Sequence, residues 1–209
     1  MNTKHKEIAE ILLTLKAIKL NVENPFTWAS GIQSPIYCDN RMTLSHPKER
    51  NIISQALVEL CGEFSEFDVV AGVATAGIPY ASILAHELSK PLIYVRSAAK
   101  GHGRQNLIEG DFKPGQRVLL IEDLISTGGS SIKAAQNIQA QGLEVVGIAA
   151  VFSYELEAGK ENFKVANIEY KTLSNYPIML EKALELNYIS DKDLASLNEW
   201  NKSPQNWKK

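Results

Sequence analysis

Residues Val118–Ser131 read VLLIEDLISTGGSS, and the reading of this stretch decides the fold. Val118–Ile121 is a short, continuous apolar run, the pattern of a strand covered on both faces. Glu122 and Asp123 are adjacent carboxylates at its C-terminal end. Thr127, Gly128, Gly129, Ser130 and Ser131 then turn into a helix. In open parallel sheets, ligands bind at this edge. A glycine-rich turn at a helix N-terminus offers unpaired N–H groups and the positive end of the helix dipole, and the hydroxyls add donors. The stretch therefore reads as a phosphate cradle. A nucleoside-triphosphate loop needs GxxxxGK[ST] and a dinucleotide site needs GxGxxG after the strand; neither is present. The acidic pair stands about five residues before the turn, where the hydroxyls of a ribose 5-phosphate would lie. One loop would then grip sugar and phosphate together. The competing reading is an ordinary strand, turn and helix with a Ser or Thr cap.

Outward from this stretch the periodicity alternates. On the N-terminal side, Asp68–Thr75 and Pro91–Arg96 read as buried strands, with Gly77–Leu88 a helix between them. Arg117–Asp123 is a strand, Gly128–Gln141 a helix and Glu144–Phe152 a strand. This β-α-β, loop, β-α-β order predicts a mostly parallel, twisted sheet with helices on both faces. Earlier in the chain, Ile8, Ile11, Leu12, Leu15 and Ile18 recur at helical spacing, which predicts a helix over about 4–20. NPFTWASGIQSPIYCDN reads as short strands and turns. His46–Phe64 reads as a helix capped by Ser45, with Pro47 in its first turn. After Glu155 come a strand over Ile168–Leu173 and helices near Pro177–Leu186 and Asp191–Trp200; KSPQNWKK reads as a frayed end. Residues 1–209 read as a single domain, with 1–45 as a small hood over it.

Composition narrows the classes. The chain has 209 residues, 44% hydrophobic and 22% charged, which suits one α/β domain with a proper core. A formal charge of −2, with no basic helix-turn-helix at either end, argues against nucleic acid as a partner. No run approaches a membrane span, and the N-terminus has no signal-peptide pattern. Two cysteines, Cys38 and Cys61, lie outside any metal-binding spacing and read as reduced thiols of a cytoplasmic protein.

The ED-LISTGGS segment resembles the signature of type I phosphoribosyltransferases. RSAAKGHGRQNLIEG, residues 96–110, taken alone is a basic cluster on a glycine-bearing loop. It resembles the catalytic loop of the orotate phosphoribosyltransferases within that family. FTWASGIQSPIYCDNR resembles that family's FTLxSGxxSPxYxD segment at Phe26, Thr27, Ser30, Gly31, Ser34, Pro35, Tyr37 and Asp39. GVATAGIPYA resembles its diphosphate loop, with Gly72, Gly77, Ile78 and Pro79 in register. Four motifs in the expected order span roughly residues 8–152. The chain departs from the pattern at Ala29, Ala76, Ser97 and Glu155, where many members carry basic residues.

The resemblance implies the type I phosphoribosyltransferase fold and transfer of ribose 5-phosphate from phosphoribosyl diphosphate to orotate. It implies Lys100, His102 and Asp123 as catalytic residues. Phosphoribosyl diphosphate is expected on Arg96, Lys100 and His102, and along Glu122, Asp123, Leu124, Ile125, Ser126, Thr127, Gly128, Gly129 and Ser130. Ser126 is expected to touch orotate too. Mg²⁺ is the implied cofactor, held mainly by substrate and water rather than by protein ligands. The implied assembly is a homodimer with shared active sites. A purine-base phosphoribosyltransferase and a phosphoribosyl-diphosphate-sensing regulator are the alternatives.

Overall fold

The long strand that carries the opening stretch is the centre of the sheet. In the computed structural model, which describes residues 2–28, 31–97 and 107–207, the chain begins with helix α1 (Asn2–Thr14) and strands β1 (Ile18–Leu20), β2 (Phe26–Thr27), β3 (Gln33–Ser34) and β4 (Ile36–Cys38). A 3₁₀ turn (Asn40–Ser45) leads to α2 (Pro47–Cys61). Then follow β5 (Val69–Val73), α3 (Gly77–Glu87), β6 (Leu92–Val95), β7 (Ile108–Glu109), β8 (Arg117–Ile125), α4 (Gly129–Gln139) and β9 (Glu144–Ser153). The chain finishes with α5 (Glu157–Ala166), β10 (Tyr170–Asn175), α6 (Tyr176–Glu185) and α7 (Asp191–Lys202).

The main sheet has the order β10-β9-β8-β5-β6-β7. Its first five strands are mutually parallel and β7 is antiparallel to β6. The expected parallel sheet flanked by helices is therefore observed. Period-two alternation builds its two faces. On β8, Leu119 and Ile121 enter the core beneath α1, α2, α3, α6 and α7, while Val118 and Leu120 enter the core beneath α4 and α5. Ala149 and Val151 of β9 repeat the first face, Ile148 and Ala150 the second. Each fully buried Val, Leu or Ile side chain among these contributes roughly 1.5–3 kcal/mol of transfer free energy.

Several boundaries differ from the sequence reading. The first helix stops at Thr14 rather than near residue 20. Lys16 adopts φ 56, and its N–H turns back to the Leu13 carbonyl, so Ile18 stays on the buried stripe as part of β1, paired with Cys38. His46, not Ser45, is the cap residue of α2, with Pro47 opening the helix. Strand β8 runs two residues further than expected, because Leu124 and Ile125 continue to pair with Phe152 and Ser153 of β9. Strand β7 and helix α5 were not anticipated. The C-terminus is not frayed at Trp207, which is 7% exposed and donates from Nε1 to Ser196 Oγ at 3.1 Å. Trp28 packs against the core: it stacks on Tyr154 and meets Trp200 edge-on.

Candidate active site

The site lies where β5, β6 and β8 end and the N-termini of α3 and α4 begin. Alternation along β8 sends its two acids to opposite faces. Glu122 points to the α4 side: Ser131 Oγ donates to its Oε2 at 3.0 Å, and the Asp123 N–H donates to its Oε1 at 3.0 Å. Asp123 lies on the α3 side, where its backbone carbonyl accepts from Asn40 Nδ2 at 2.6 Å. Glu122 is only 5% exposed. Burial, then the neighbouring Asp123 charge, pushes its carboxyl well above the usual carboxylate range. Burial raises Asp123 too, against a hydrogen bond from Glu122 and the positive charge of Arg41. Arg41 itself is clamped by Asp39, at 2.6 Å and 2.8 Å.

Beyond Ile125 the chain makes the expected turn. Ser126 is half-buried, while Thr127, Gly129 and Ser130 are exposed. Gly128 caps α4 with φ 77, a left-handed conformation suited to glycine, and a Cβ there would meet Phe163 at 2.5 Å. The cap residue has no side chain, so it leaves the first N–H groups of α4 uncovered. A Ser or Thr cap, the competing reading of this stretch, is thus not what the turn contains.

Helix α5, which the sequence reading missed, buttresses this turn. Asn162 Nδ2 donates to the Thr127 carbonyl at 2.9 Å, and Phe163 fills the space under Gly128. Gly159 sits so close that an added Cβ would lie 2.6 Å from the Ser126 carbonyl oxygen. At the second turn, the Ala74–Thr75 peptide is cis and Gly77 lies directly against the backbone of Ile121 and Glu122.

Arg96 follows β6. Its backbone N–H donates to the Leu107 carbonyl at 2.8 Å, and its guanidinium lies 3.5 Å from Glu109. With Val73, Ala74, Gly129, Ser130 and Lys133 it lines a cavity of about 290 Å³. The structure thus brings Arg96 beside the glycine turn that opens α4. Lys100 and His102 lie outside the described residues, as do Ala29 and Ser30. Of the other departures from the family pattern, Ala76 precedes α3 and Ser97 is exposed after β6. Glu155, at φ 52, has its carboxylate engaged elsewhere: it lies 3.7 Å from Lys160 and hydrogen-bonds Tyr170, whose hydroxyl is pushed up to about 12, mainly by burial.

Residues 41–176 match the family model described as the phosphoribosyl transferase domain. A relative from Listeria innocua named orotate phosphoribosyltransferase is 53% identical over 205 residues, 98% of each chain. The chain belongs to the orotate phosphoribosyltransferase family. Among solved orotate phosphoribosyltransferases, that of Aeropyrum pernix is similar at TM-score 0.75 and 29% identity, covering 88% of this chain and 99% of that one. The enzyme of Mycobacterium tuberculosis solved in complex with 5-phospho-α-D-ribosyl 1-diphosphate is similar at TM-score 0.65 and 26% identity, covering 84% and 98%. In this orotate phosphoribosyltransferase family member, Asn40, Thr43, Tyr80 and Asn162 are site-supporting residues that sequence reasoning did not reach, and the Ser131 hydroxyl, expected among the donors of the turn, is buried on Glu122 instead.

Proposed function

We propose that the protein transfers the 5-phosphoribosyl group of phosphoribosyl diphosphate to orotate, giving orotidine 5′-phosphate and diphosphate, a step of pyrimidine nucleotide synthesis. The observation that carries this reading is the single strand end, β8 into α4, where an adjacent acid pair precedes an uncapped, glycine-turned helix N-terminus. A sugar phosphate fits that spacing. As diphosphate leaves, C1 of the ribose becomes cationic, so the protein's work is to hold the sugar, neutralise the leaving group and exclude water. In this reading Ser126–Ser130 bind the 5′-phosphate through backbone N–H groups and hydroxyls, and Leu124 and Ile125 contribute backbone alone. Glu122 and Asp123 take the ribose hydroxyls. Arg96, Lys100 and His102 meet the diphosphate, and Ser126 touches orotate.

The buried acid pair also fits a Mg²⁺-bearing substrate. Desolvated carboxylates raised by burial are relieved by a cation, and magnesium takes oxygen ligands with several waters retained. Magnesium carried by the diphosphate would offset the leaving group's charge, with Glu122 and Asp123 acting through water. The proposed assembly is a cytoplasmic homodimer in which the 96–110 segment of one subunit completes the neighbour's site. No helix among the described residues is long and apolar enough to cross a membrane.

The test is an assay with phosphoribosyl diphosphate and Mg²⁺, following loss of orotate absorbance beside hypoxanthine, xanthine and uracil. Turnover of orotate alone supports the reading. Turnover of a purine with orotate untouched refutes it.

A further inference from the structure

We propose that Asn40 is a positioning residue of the transfer reaction, locking the Asp123 peptide to the chain around β4. The inference rests on the phosphoribosyl-transfer reading above.

The case begins with an unequal sheet. Strand β5 pairs with β8 only as far as Gly72 opposite Ile121, whereas β9 accompanies β8 to Ile125 opposite Ser153. From Glu122 onward, one edge of β8 has therefore lost its strand partner. A buried backbone carbonyl on such an edge needs a donor from elsewhere. Asn40 supplies it: Nδ2 lies 2.6 Å from the Asp123 carbonyl oxygen, across 83 residues of sequence.

Asn40 is completely buried. Burying an amide is costly unless both its ends are satisfied, and here both are. Its Oδ1 accepts from the Cys38 thiol at 3.3 Å. Its own carbonyl accepts from Tyr80 Oη at 2.7 Å and from Thr43 Oγ1 at 2.9 Å, and those two hydroxyls are 2.7 Å apart. Tyr80 belongs to α3, the helix that opens at the proposed diphosphate turn. Asn40 thus joins three parts of the site: the 26–39 segment, the acid pair and the first turns of α3.

A leucine of similar volume fills the space but donates nothing to the Asp123 carbonyl. An aspartate has the shape of asparagine and donates only when protonated. The groups facing this position are Cys38, Asp39 and Arg41 from its own segment, Tyr80 from α3, and Glu122 and Asp123 from β8.

The experiment compares wild type, Asn40→Leu and Asn40→Asp by calorimetric titration with phosphoribosyl diphosphate and Mg²⁺, by kcat for orotate, and by thermal unfolding. Each variant is scaled to wild type at the same pH. Asn40→Leu is expected to bind about tenfold more weakly and turn over about tenfold more slowly, equally at pH 6 and pH 9. Asn40→Asp is expected to match that defect at pH 9 and to recover to within about threefold of wild type at pH 6, where its carboxyl regains a donor. A folded Asn40→Leu with wild-type affinity overturns the inference. So does an Asn40→Asp defect that is the same at both pH values, since packing alone behaves that way. If Asn40→Leu does not fold, wild-type affinity of Asn40→Asp at pH 9 is the overturning result. A wild type that binds phosphoribosyl diphosphate but makes no orotidine 5′-phosphate refutes the reading of the reaction, while the affinity ratios still judge Asn40.

Discussion

Gly77 is the tightest joint between the two halves of the site, and Gly77→Ala measures how much the chemistry depends on it. A Cβ built there would lie 2.3 Å from the Ile121 carbonyl oxygen, 3.2 Å from its carbon and 3.3 Å from the Glu122 Cα. All three are backbone atoms, so no side chain can swing away. An ordinary carbon–oxygen contact is about 3.3 Å, so relief requires the start of α3 and the end of β8 to part by about 1 Å. Overpacking of this kind costs roughly 1–3 kcal/mol, partly offset by about 0.5–1 kcal/mol for the glycine freedom removed from the unfolded chain. The expected net destabilisation is about 1–2 kcal/mol, read as a lower urea midpoint with unchanged slope. The catalytic effect is larger. The displaced elements carry the proposed diphosphate turn and the proposed ribose acids, and a 1 Å misplacement of reacting groups costs about 10²-fold. That is about 2.7 kcal/mol of transition-state stabilisation. Forward rates with orotate and urea melts on the same preparations test both halves. If kcat/KM, corrected for the folded fraction, stays within about twofold of wild type, the spacing between turn and acids is not what catalysis needs.

Three further outcomes follow from the same geometry. Glu122 is held above the ordinary carboxylate range in the fold by burial, so its contribution to stability is fully present below about pH 4.3 and is lost as pH rises through the raised folded pKa; urea midpoints for wild type and Glu122→Gln should diverge with rising pH, wild type falling faster, and parallel curves count against the buried-acid account. Asn162→Ala removes the donor to the Thr127 carbonyl from an exposed position, so stability should change by less than about 0.5 kcal/mol while KM for phosphoribosyl diphosphate rises about threefold to tenfold; an unchanged KM would show that α5 does not set the turn. Lys100→Ala should lower kcat far more than it weakens phosphoribosyl-diphosphate binding, and mixing it with Asp123→Ala subunits should restore some activity if sites are shared; confirmed heterodimers without recovery argue against sharing.

Much of the sheet was legible because its physics is local. Fully buried strands such as Val69–Val73 announce themselves as unbroken apolar runs, and glycine turns at their ends mark the ligand edge. What escaped was set by partners distant in sequence. The inner face of α5 is carried largely by Gly159 and Phe163, and a glycine that reads as a helix breaker is there because the Ser126 carbonyl comes within reach. The first helix seemed longer than it is because Ile18 keeps the apolar spacing while Lys16 turns the backbone out of the helix. Asn40 ends a stretch that reads only as short strands and turns, yet its partners are Tyr80 and the Asp123 peptide, supplied by other elements. The acid pair and glycine turn were visible; the groups that hold them in place were not, because a hydrogen bond spanning 83 residues leaves no periodicity.

The adjacency of Glu122 and Asp123 explains why the site needs support from both sides of the sheet. Successive side chains of a strand cannot share a face, so an acid pair at the end of β8 divides its neighbours between two layers. Glu122 is steadied from α4 by Ser131, and the phosphate turn that follows is propped from α5 on the same face. Asp123 lies toward the α3 side, where β5 has already ended, and its backbone is held by Asn40. Those two supports come from opposite ends of the chain: residues 40–43 before the sheet begins, and residues 159–163 after β9. A phosphoribosyl group held as proposed, at its hydroxyls by acids facing both layers and at its phosphate by the turn on the α4 side, is therefore also sensitive to the spacing between α3 and β8, which Gly77 keeps short. Variants that loosen either layer alone should be less than additive with Gly77→Ala, because once the layers have parted the second support no longer holds a competent geometry.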